Sequence, residues 1–234
     1  MEYIRKIINE VEVSHSKALL DAAYSLTRDQ KRILWLFLMD LDPSYGIIID
    51  QELGVLEFKL KSYTSLFNID AHEASRDVLK ALSEFNHKEV KIYLPEESTE
   101  SEDAIDEFSW LAKKSRRPKR GTYIIYFNPY LVPYLRGMSP AVNAKFIELD
   151  KFTNSNYGRL YTKILEAEKN KLIIDVDWLI ERYELPKTYA RYSNFKQRFL
   201  IPAIAAIKKI KGMNNIEVEE IKKGKKVIKI SLSW

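Results

Sequence analysis

The stretch KLIIDVDWLIERYELPKTYARYSNFKQRFL (residues 171–200) carries the clearest signal for the fold. Its first six residues, 171–176, form a short apolar run that is typical of a buried strand. Residues 177–185 follow as a short helix that Pro186 interrupts. A longer helix is predicted over 193–211, with an apolar stripe along one face. This order predicts a helix-turn-helix preceded by a strand.

A hairpin is predicted directly after the long helix. Residues 216–221 and 226–234 read as strands, and Gly224 supplies the turn between them. A helix-turn-helix followed by a β-hairpin is a winged helix. Pro202 interrupts the pattern of the long helix, because proline lacks the backbone N–H that a helix interior needs. We therefore expect a kink at Pro202, or two helices instead of one.

The first half of the chain repeats this order of elements. A strand, a short helix, a longer helix and two further strands are predicted at residues 55–60, 62–67, 71–85, 88–94 and 121–127. We therefore expect an α+β chain of two tandem winged-helix domains with a pseudo-two-fold relation. The boundary is expected around Gly137 and Pro140, which gives an N-terminal domain 1–140 and a C-terminal domain 141–234.

Two charged segments interrupt the first domain. Residues 95–107 contain seven acidic side chains, and residues 113–120 contain six basic ones. The acidic segment is expected to be a mobile loop inside the first hairpin. The basic segment either contacts phosphate or pairs with the acidic one.

Composition limits the classes of function. The net charge is +5, and residues 185–234 hold 12 Lys or Arg against 3 Glu, which favours a polyanion-binding module over a merely soluble surface. There is no cysteine, and the longest apolar run, 33–39, is too short to span a membrane, so we expect a cytoplasmic protein. The sequence has no Gly-rich phosphate loop, no metal-ligand spacing among its three histidines and no His-x-His pair. We expect no enzyme, no cofactor and no metal.

The long helix of the second domain supplies the strongest candidates for DNA contact. Asn194, Gln197 and Arg198 point away from its apolar stripe, and Arg and Gln side chains can read guanine and adenine edges. The alternatives are a solvated helix face and, for the lysines of the hairpin, a solubility device on an exposed edge. The candidates are Lys187, Arg191, Ser193, Asn194, Lys196, Gln197, Arg198, Lys223 and Lys225.

Two helices of the first domain supply further candidates. His72, Arg76 and Lys80 recur every four residues opposite the apolar face of helix 71–85. A helix that Thr27 caps carries three cations in its first turns, where they oppose the helix dipole. An anion would offset them, either a bound phosphate or, in part, Asp29. These cations are Arg28, Lys31 and Arg32.

Several motifs resemble the iteron-binding plasmid replication initiator (Rep) family. They are AAYSLTRDQKRILWLFL (22–38), EASRDVLKALSEFNHKEV (73–90), GTYIIYFNPYLVPYL (121–135), NYGRLYTKILEAEKN (156–170) and WLIERYELPKTYARYSNFKQRFL (178–200). The resemblance implies two winged-helix domains that bind origin direct repeats, called iterons, as a monomer. It also implies repression of the chain's own promoter as a dimer that forms through the N-terminal domain. The implied partners are double-stranded DNA, a second copy, the host DnaA, the replicative helicase and a DnaK-type chaperone.

The resemblance also implies site residues. The family's DNA contacts fall on Arg28, on Lys196, Gln197 and Arg198, and on the turn at Arg120. Gln197 stands where the family has a positive charge, so the repeat that this chain reads is expected to differ. A winged-helix transcriptional repressor without a replication role is the alternative interpretation.

Overall fold

The computed structural model describes residues 11–39, 41–137 and 141–234, and its contacts divide these into two units. The first unit runs to Lys151 but omits Ala23–Ser25, which join Phe152–Trp234 in the second unit. The boundary between the two units therefore falls after Lys151, whereas the sequence predicts it after residue 140. The reason is that the strand Ala141–Lys145 pairs with Glu12–Ser16 and so stays with the first unit. Pro140, named in the sequence-based boundary, lies outside the described residues.

The first unit contains helices and short strands in alternation. In chain order they are β1 (Glu12–Ser16), α1 (Lys17–Asp21), α2 (Arg28–Leu38), β2 (Ile47–Asp50), β3 (Val55–Lys59), α3 (Leu60–Phe67), α4 (Ala71–Glu84), β4 (Glu89–Tyr93), β5 (Ile105–Ser109), β6 (Leu111–Arg117), β7 (Thr122–Phe127), a π-helical turn (Pro133–Gly137), β8 (Ala141–Lys145) and α5 (Phe146–Leu149). The helices α3 and α4 form the predicted helix-turn-helix. Asn68 ends α3 in the left-handed region (φ 51°), and the Asp70 side chain caps α4 by accepting a hydrogen bond from the His72 N–H.

The sheet of the first unit differs from the predicted hairpin. Its antiparallel strand order is β2-β3-β7-β6, whereas β4 pairs with β5 in a separate hairpin. The prediction that residues 88–94 pair with residues 121–127 is therefore wrong, because β6 takes that place beside β7. Strand β6 has the sequence LAKKSRR, without the apolar alternation that marks a half-buried strand, so its sequence does not indicate a strand.

The second unit is a smaller winged helix. Its elements are α6 (Ser155–Glu166), β9 (Lys171–Asp175), α7 (Val176–Arg182), α8 (Tyr192–Phe195), a π-helical segment (Lys196–Leu200), α9 (Ile201–Ile207), β10 (Glu217–Lys223) and β11 (Lys226–Ser233). The three strands form an antiparallel sheet in the order β10-β11-β9. Gly224 makes the hairpin turn at φ 62°. The prediction of two winged helices is confirmed.

A buried arginine explains why Ala23–Ser25 belong to the second unit. The Arg159 guanidinium lies 3.7 Å from the ring centroid of Tyr24 and 4.2 Å from that of Tyr183. It also donates hydrogen bonds to the backbone carbonyls of Tyr24 (2.7 Å) and Arg182 (3.0 Å). A buried cation needs such partners to offset its lost hydration, so Tyr24 is part of this core.

The helix from residue 192 to residue 207, here called the recognition helix, passes Pro202 without a break. Helical backbone angles continue through Phe195, Leu200 and Ile201. The π-helical segment lies directly before Ile201, and its wider turn suits a site where the proline ring would crowd the carbonyl of the preceding turn. The expected division into two helices is therefore wrong, and the helix ends at Ile207 rather than at residue 211. Among the described residues, no helix is long and apolar enough to cross a membrane.

Candidate nucleic-acid interface

The recognition helix buries one face and exposes the opposite one. Phe195, Phe199 and Ala203 are buried, whereas Gln197 and Arg198 are exposed, as the sequence predicts. Neither the Gln197 nor the Arg198 side chain forms a hydrogen bond or ion pair within the described part of the chain. Both side chains are therefore available for paired hydrogen bonds to base edges.

Asn194 has a different role from its neighbours. It is half-buried, and its Nδ2 donates a hydrogen bond of 2.9 Å to the backbone carbonyl of Thr188. This bond fixes the turn that leads into the recognition helix. Part of the hydrogen-bonding capacity of Asn194 is thus committed inside the protein.

The approach to the recognition helix is basic and exposed. Lys187 begins a 3₁₀ turn, Arg191 occupies the cap position of the helix, and Ser193 is exposed beside them. Lys187 and Arg191 form no ion pair with any residue that the structure describes. Cations and free N–H groups at the start of a helix suit a phosphate group.

Lys196 is bound to the hairpin of its own unit. Its Nζ lies 2.7 Å from Oε1 of Glu220 on β10, and the Tyr192 hydroxyl donates to the same oxygen at 3.0 Å. Lys222 adds a weaker contact at 3.7 Å. The Lys196 hydrogen bond holds the pKa of Glu220 below its usual value, and burial raises the pKa of the Tyr192 hydroxyl. These contacts fasten the recognition helix to β10.

The tip of the second hairpin leaves two of its lysines without a carboxylate partner. Lys222 contacts Glu220, and Lys226 lies 3.1 Å from Oδ2 of Asp177. Lys223 and Lys225 are exposed on either side of Gly224, with no ion pair in the described chain. They form the charged tip that the sequence predicts.

Helix α4 of the first unit also exposes the predicted cations, but each has a carboxylate beside it. Nε of Arg76 lies 3.1 Å from Oδ1 of Asp77, and Nζ of Lys80 lies 3.9 Å from Oε1 of Glu84. His72 is exposed on the same face. Helix α4 thus offers less unneutralised charge than the recognition helix.

The cations at the start of α2 are mostly interior. Thr27 caps α2 as predicted, and Gln30 completes a capping box, with its Oε1 accepting from the Thr27 N–H at 2.9 Å. Lys31 is 2% exposed and Arg32 is 4% exposed. The Arg32 guanidinium makes a forked contact with Oδ1 of Asp150, where Nε and Nη2 each lie 3.0 Å away.

Carboxylates of the protein itself therefore supply the anion that Arg32 requires. Asp29 lies 3.6 Å from Nη1 of Arg32, and Phe67 stacks on the guanidinium at 4.7 Å. Burial raises the pKa of Asp150, and the Arg32 charge opposes that rise. The placement of Lys31 and Arg32 as DNA contacts conflicts with their burial. Arg28 stays at the surface, 3.7 Å from Asp29.

The basic segment 113–120 forms a wing of the first unit. The sequence allowed two interpretations of this segment, contact with phosphate or pairing with the acidic segment. We call β6 and its turn to β7 the first wing, and its cations are Lys113, Lys114, Arg116, Arg117, Lys119 and Arg120. Lys114 donates to the Leu82 carbonyl near the end of α4 at 2.7 Å, which ties the wing to that helix. Gly121 closes the tip at φ 59°.

The acidic segment lies on a different hairpin from these cations. It connects β4 to β5, where the Leu94 N–H donates to the Ala104 carbonyl and Ser98 bridges the same ends. No ion pair joins the first wing to residues 95–107 in the described structure. The first wing is therefore charged and accessible. The sequence signal that could have identified the first wing is its run of cations, which occupy both faces of an edge strand.

Comparisons with known proteins agree with this architecture. Residues 12–164 match the family model described as "Initiator Replication protein, WH1", and residues 175–234 match "Initiator Rep protein, WH2". A curated Escherichia coli relative, an uncharacterized 27.6 kDa protein, is 29% identical over 212 residues, which cover 86% of this chain and 87% of that protein.

A solved structure shares the fold across both units. It is the Pi initiator protein in complex with iteron DNA, which matches with a TM-score of 0.70 and 20% identity over 94% of this chain and 95% of that one. The two family models together span most of the sequence. The chain belongs to the family of initiator replication proteins that carry two winged-helix domains.

Proposed function

We propose that this chain initiates plasmid replication by binding tandem direct repeats of double-stranded DNA at the origin as a monomer. The observation that carries the proposal is the exposed pair Gln197 and Arg198 on the recognition helix, next to the unpaired cations Lys187 and Arg191. Base-reading side chains beside phosphate-binding ones are what a helix in the major groove requires. The Pi initiator, which shares the fold, was solved on iteron DNA.

The contacts divide into two kinds under this proposal. Gln197 and Arg198 read bases, with Asn194 in a supporting position. Phosphates are bound by Lys187, Arg191, Ser193, Lys223 and Lys225 in the second unit and by Arg28, Arg76, Lys80 and the first wing in the first unit. Lys196 acts through Glu220, because it holds β10 against the recognition helix.

The proposed protein partners are a second copy of the chain and three host proteins. A dimer of the chain would bind an inverted repeat and repress its own promoter. The host DnaA, the replicative helicase and a DnaK-type chaperone would act with the monomer in the cytoplasm. The chain would catalyse no reaction itself, because its role is to position DNA and other proteins.

The proposal is tested with the DNA that flanks the gene. Binding of the purified chain to that DNA and to a shuffled duplex is measured by fluorescence anisotropy over a range of salt concentrations. If about six to eight of the proposed phosphate-binding cations contact phosphate at the same time, log affinity should fall against log salt with a slope of roughly −6. A plasmid that carries only the flanking DNA should replicate when the chain is supplied in trans. Specific binding without replication would instead indicate a transcriptional repressor, and salt-independent binding would contradict both.

A further inference from the structure

The exposed face of the recognition helix becomes apolar towards its C-terminal half. Ile201 follows Gln197 by four residues, about one turn, and its exposed fraction is 46%. Ala205 follows after four more residues and is also exposed. Single exposed aliphatic side chains are common on protein surfaces, so the position of Ile201, one turn after the base-reading candidate Gln197, is what makes it informative.

A shallow groove lies beside this apolar stripe, between the recognition helix and β10. Its volume is about 280 Å³. Ile201, Ile204 and Ala205 line one side, and Val218 of β10 lines the other. Lys208 also lines the groove, as does the ion pair between Lys196 and Glu220. The groove thus joins apolar walls to one cation, Lys208, that forms no ion pair in the described chain.

The chemistry of the groove matches one feature of DNA. Lys208 favours a polyanion, and the apolar group that the major groove of DNA presents is the C5-methyl of thymine. We propose that Ile201, assisted by Ala205, contacts thymine C5-methyl groups next to the bases that Gln197 and Arg198 read. This inference rests on the proposed binding of duplex DNA and adds a source of its sequence preference.

The helix α4 in the first unit repeats the arrangement. Leu79 is 41% exposed and lies six residues before the buried Phe85. Ile201 is likewise six residues before the buried Ile207. In both helices the residues two and three positions after the exposed aliphatic are a buried alanine and a buried leucine or isoleucine. Two helices of unlike sequence thus place an exposed aliphatic side chain at the same position.

The test is a uracil scan of a duplex that the wild-type chain binds specifically. Each thymine is replaced in turn by deoxyuridine, which lacks only the C5-methyl, and affinity is measured by anisotropy. Removing one buried methyl contact predicts about a fourfold loss at one or two positions. Ile201→Ala should bind the thymine duplex about fourfold more weakly and lose the response to uracil, whereas Ile201→Val should keep it.

Ile173→Ala is the matched control, because Ile173 is 53% exposed but lies on β9, at the other edge of the sheet. It should bind and respond as the wild type does. A flat uracil scan on a duplex that still binds specifically would overturn the inference and leave the proposed function intact. An Ile201→Ala loss of replication with unchanged DNA affinity would also overturn it, in favour of a protein partner. Failure to bind any duplex would contradict the proposed function itself.

Discussion

The two winged helices carry similar numbers of cations but arrange them differently. In the second unit, Gln197 and Arg198 are unpaired on the recognition helix. In the first unit, Arg76 and Lys80 of α4 each have a neighbouring carboxylate, and the unpaired charge lies on the first wing instead. Under the proposed function, we infer from this difference that the second unit reads bases and the first unit mainly binds phosphate.

The same comparison separates cations that are free to contact DNA from cations that stabilise the fold of the protein itself. Arg32 is oriented by Asp150 and Phe67 in the interior of the first unit, and Lys196 is held by Glu220 in the second. A basic residue in the sequence of a DNA-binding protein is therefore a weaker candidate for DNA contact when a carboxylate of the protein already holds it.

The largest effect is expected at Arg32. Arg32→Ala leaves the partly buried Asp150 without its partner, which should lower the free energy of unfolding by about 3 kcal/mol. Urea denaturation measures this change, and Arg28→Ala, at the exposed start of the same helix, should change stability by less than about 1 kcal/mol. Unchanged stability together with weakened DNA binding would return Arg32 to the interface.

The next largest effect is expected for arginine substitutions on the recognition helix and on α4. Arg198→Ala should weaken binding to the specific duplex by about 1–3 kcal/mol and relax the preference at one base position. Arg76→Ala, on α4 of the first unit, should cost less and leave every base preference in place. Selection from randomised duplexes measures both. If Arg76→Ala proved the more damaging, the assigned roles of the two units would be reversed.

Substitutions in the two wings should weaken binding to all DNA sequences equally. Arg117→Ala and Lys225→Ala should each weaken specific and shuffled duplexes by the same factor and reduce the salt slope by about one. Anisotropy titrations at several salt concentrations provide this measurement. A variant that lost affinity only for the specific duplex would show that its wing reads sequence.

The smallest effect depends on pH. The pKa of Glu220 is lowered in the folded protein from its usual 4.5, chiefly by Lys196. Its contribution to stability is therefore present above about pH 4.5 and is lost as the pH falls through the lowered pKa. Glu220→Gln should remove this part of the acid sensitivity, whereas Glu219→Gln on the same strand should not. Urea titrations between neutral and acidic pH compare the variants.

The sequence predicted those features that local patterns encode. The two helix-turn-helix pairs, the cap at Thr27 and the exposure of Gln197 and Arg198 all follow from periodicity and capping. Strand β6 escaped prediction because it has no apolar alternation, although its neighbour β7 does. Sequence alone can propose which helix faces DNA but not how the strands of the first wing pair.

The remaining errors come from contacts between distant parts of the chain. Arg32 meets Asp150, 118 residues away, and Lys196 meets Glu220, 24 residues away. No local pattern reveals such partners, so a buried cation and a free one look alike in the sequence. Pro202 is a local matter instead: a π-helical turn directly before Ile201 keeps the recognition helix in one piece, which excludes one of the two expected outcomes there, the division into two helices.

We propose that the monomer reads tandem repeats through the recognition helix. Footprinting of the purified monomer, wild type and Arg198→Ala, on the DNA beside its gene tests this proposal. We expect protected segments that recur in tandem as direct repeats for the wild type, and loss of that specific pattern for Arg198→Ala while general affinity remains. A footprint without repeats, or an identical footprint for the variant, would contradict it.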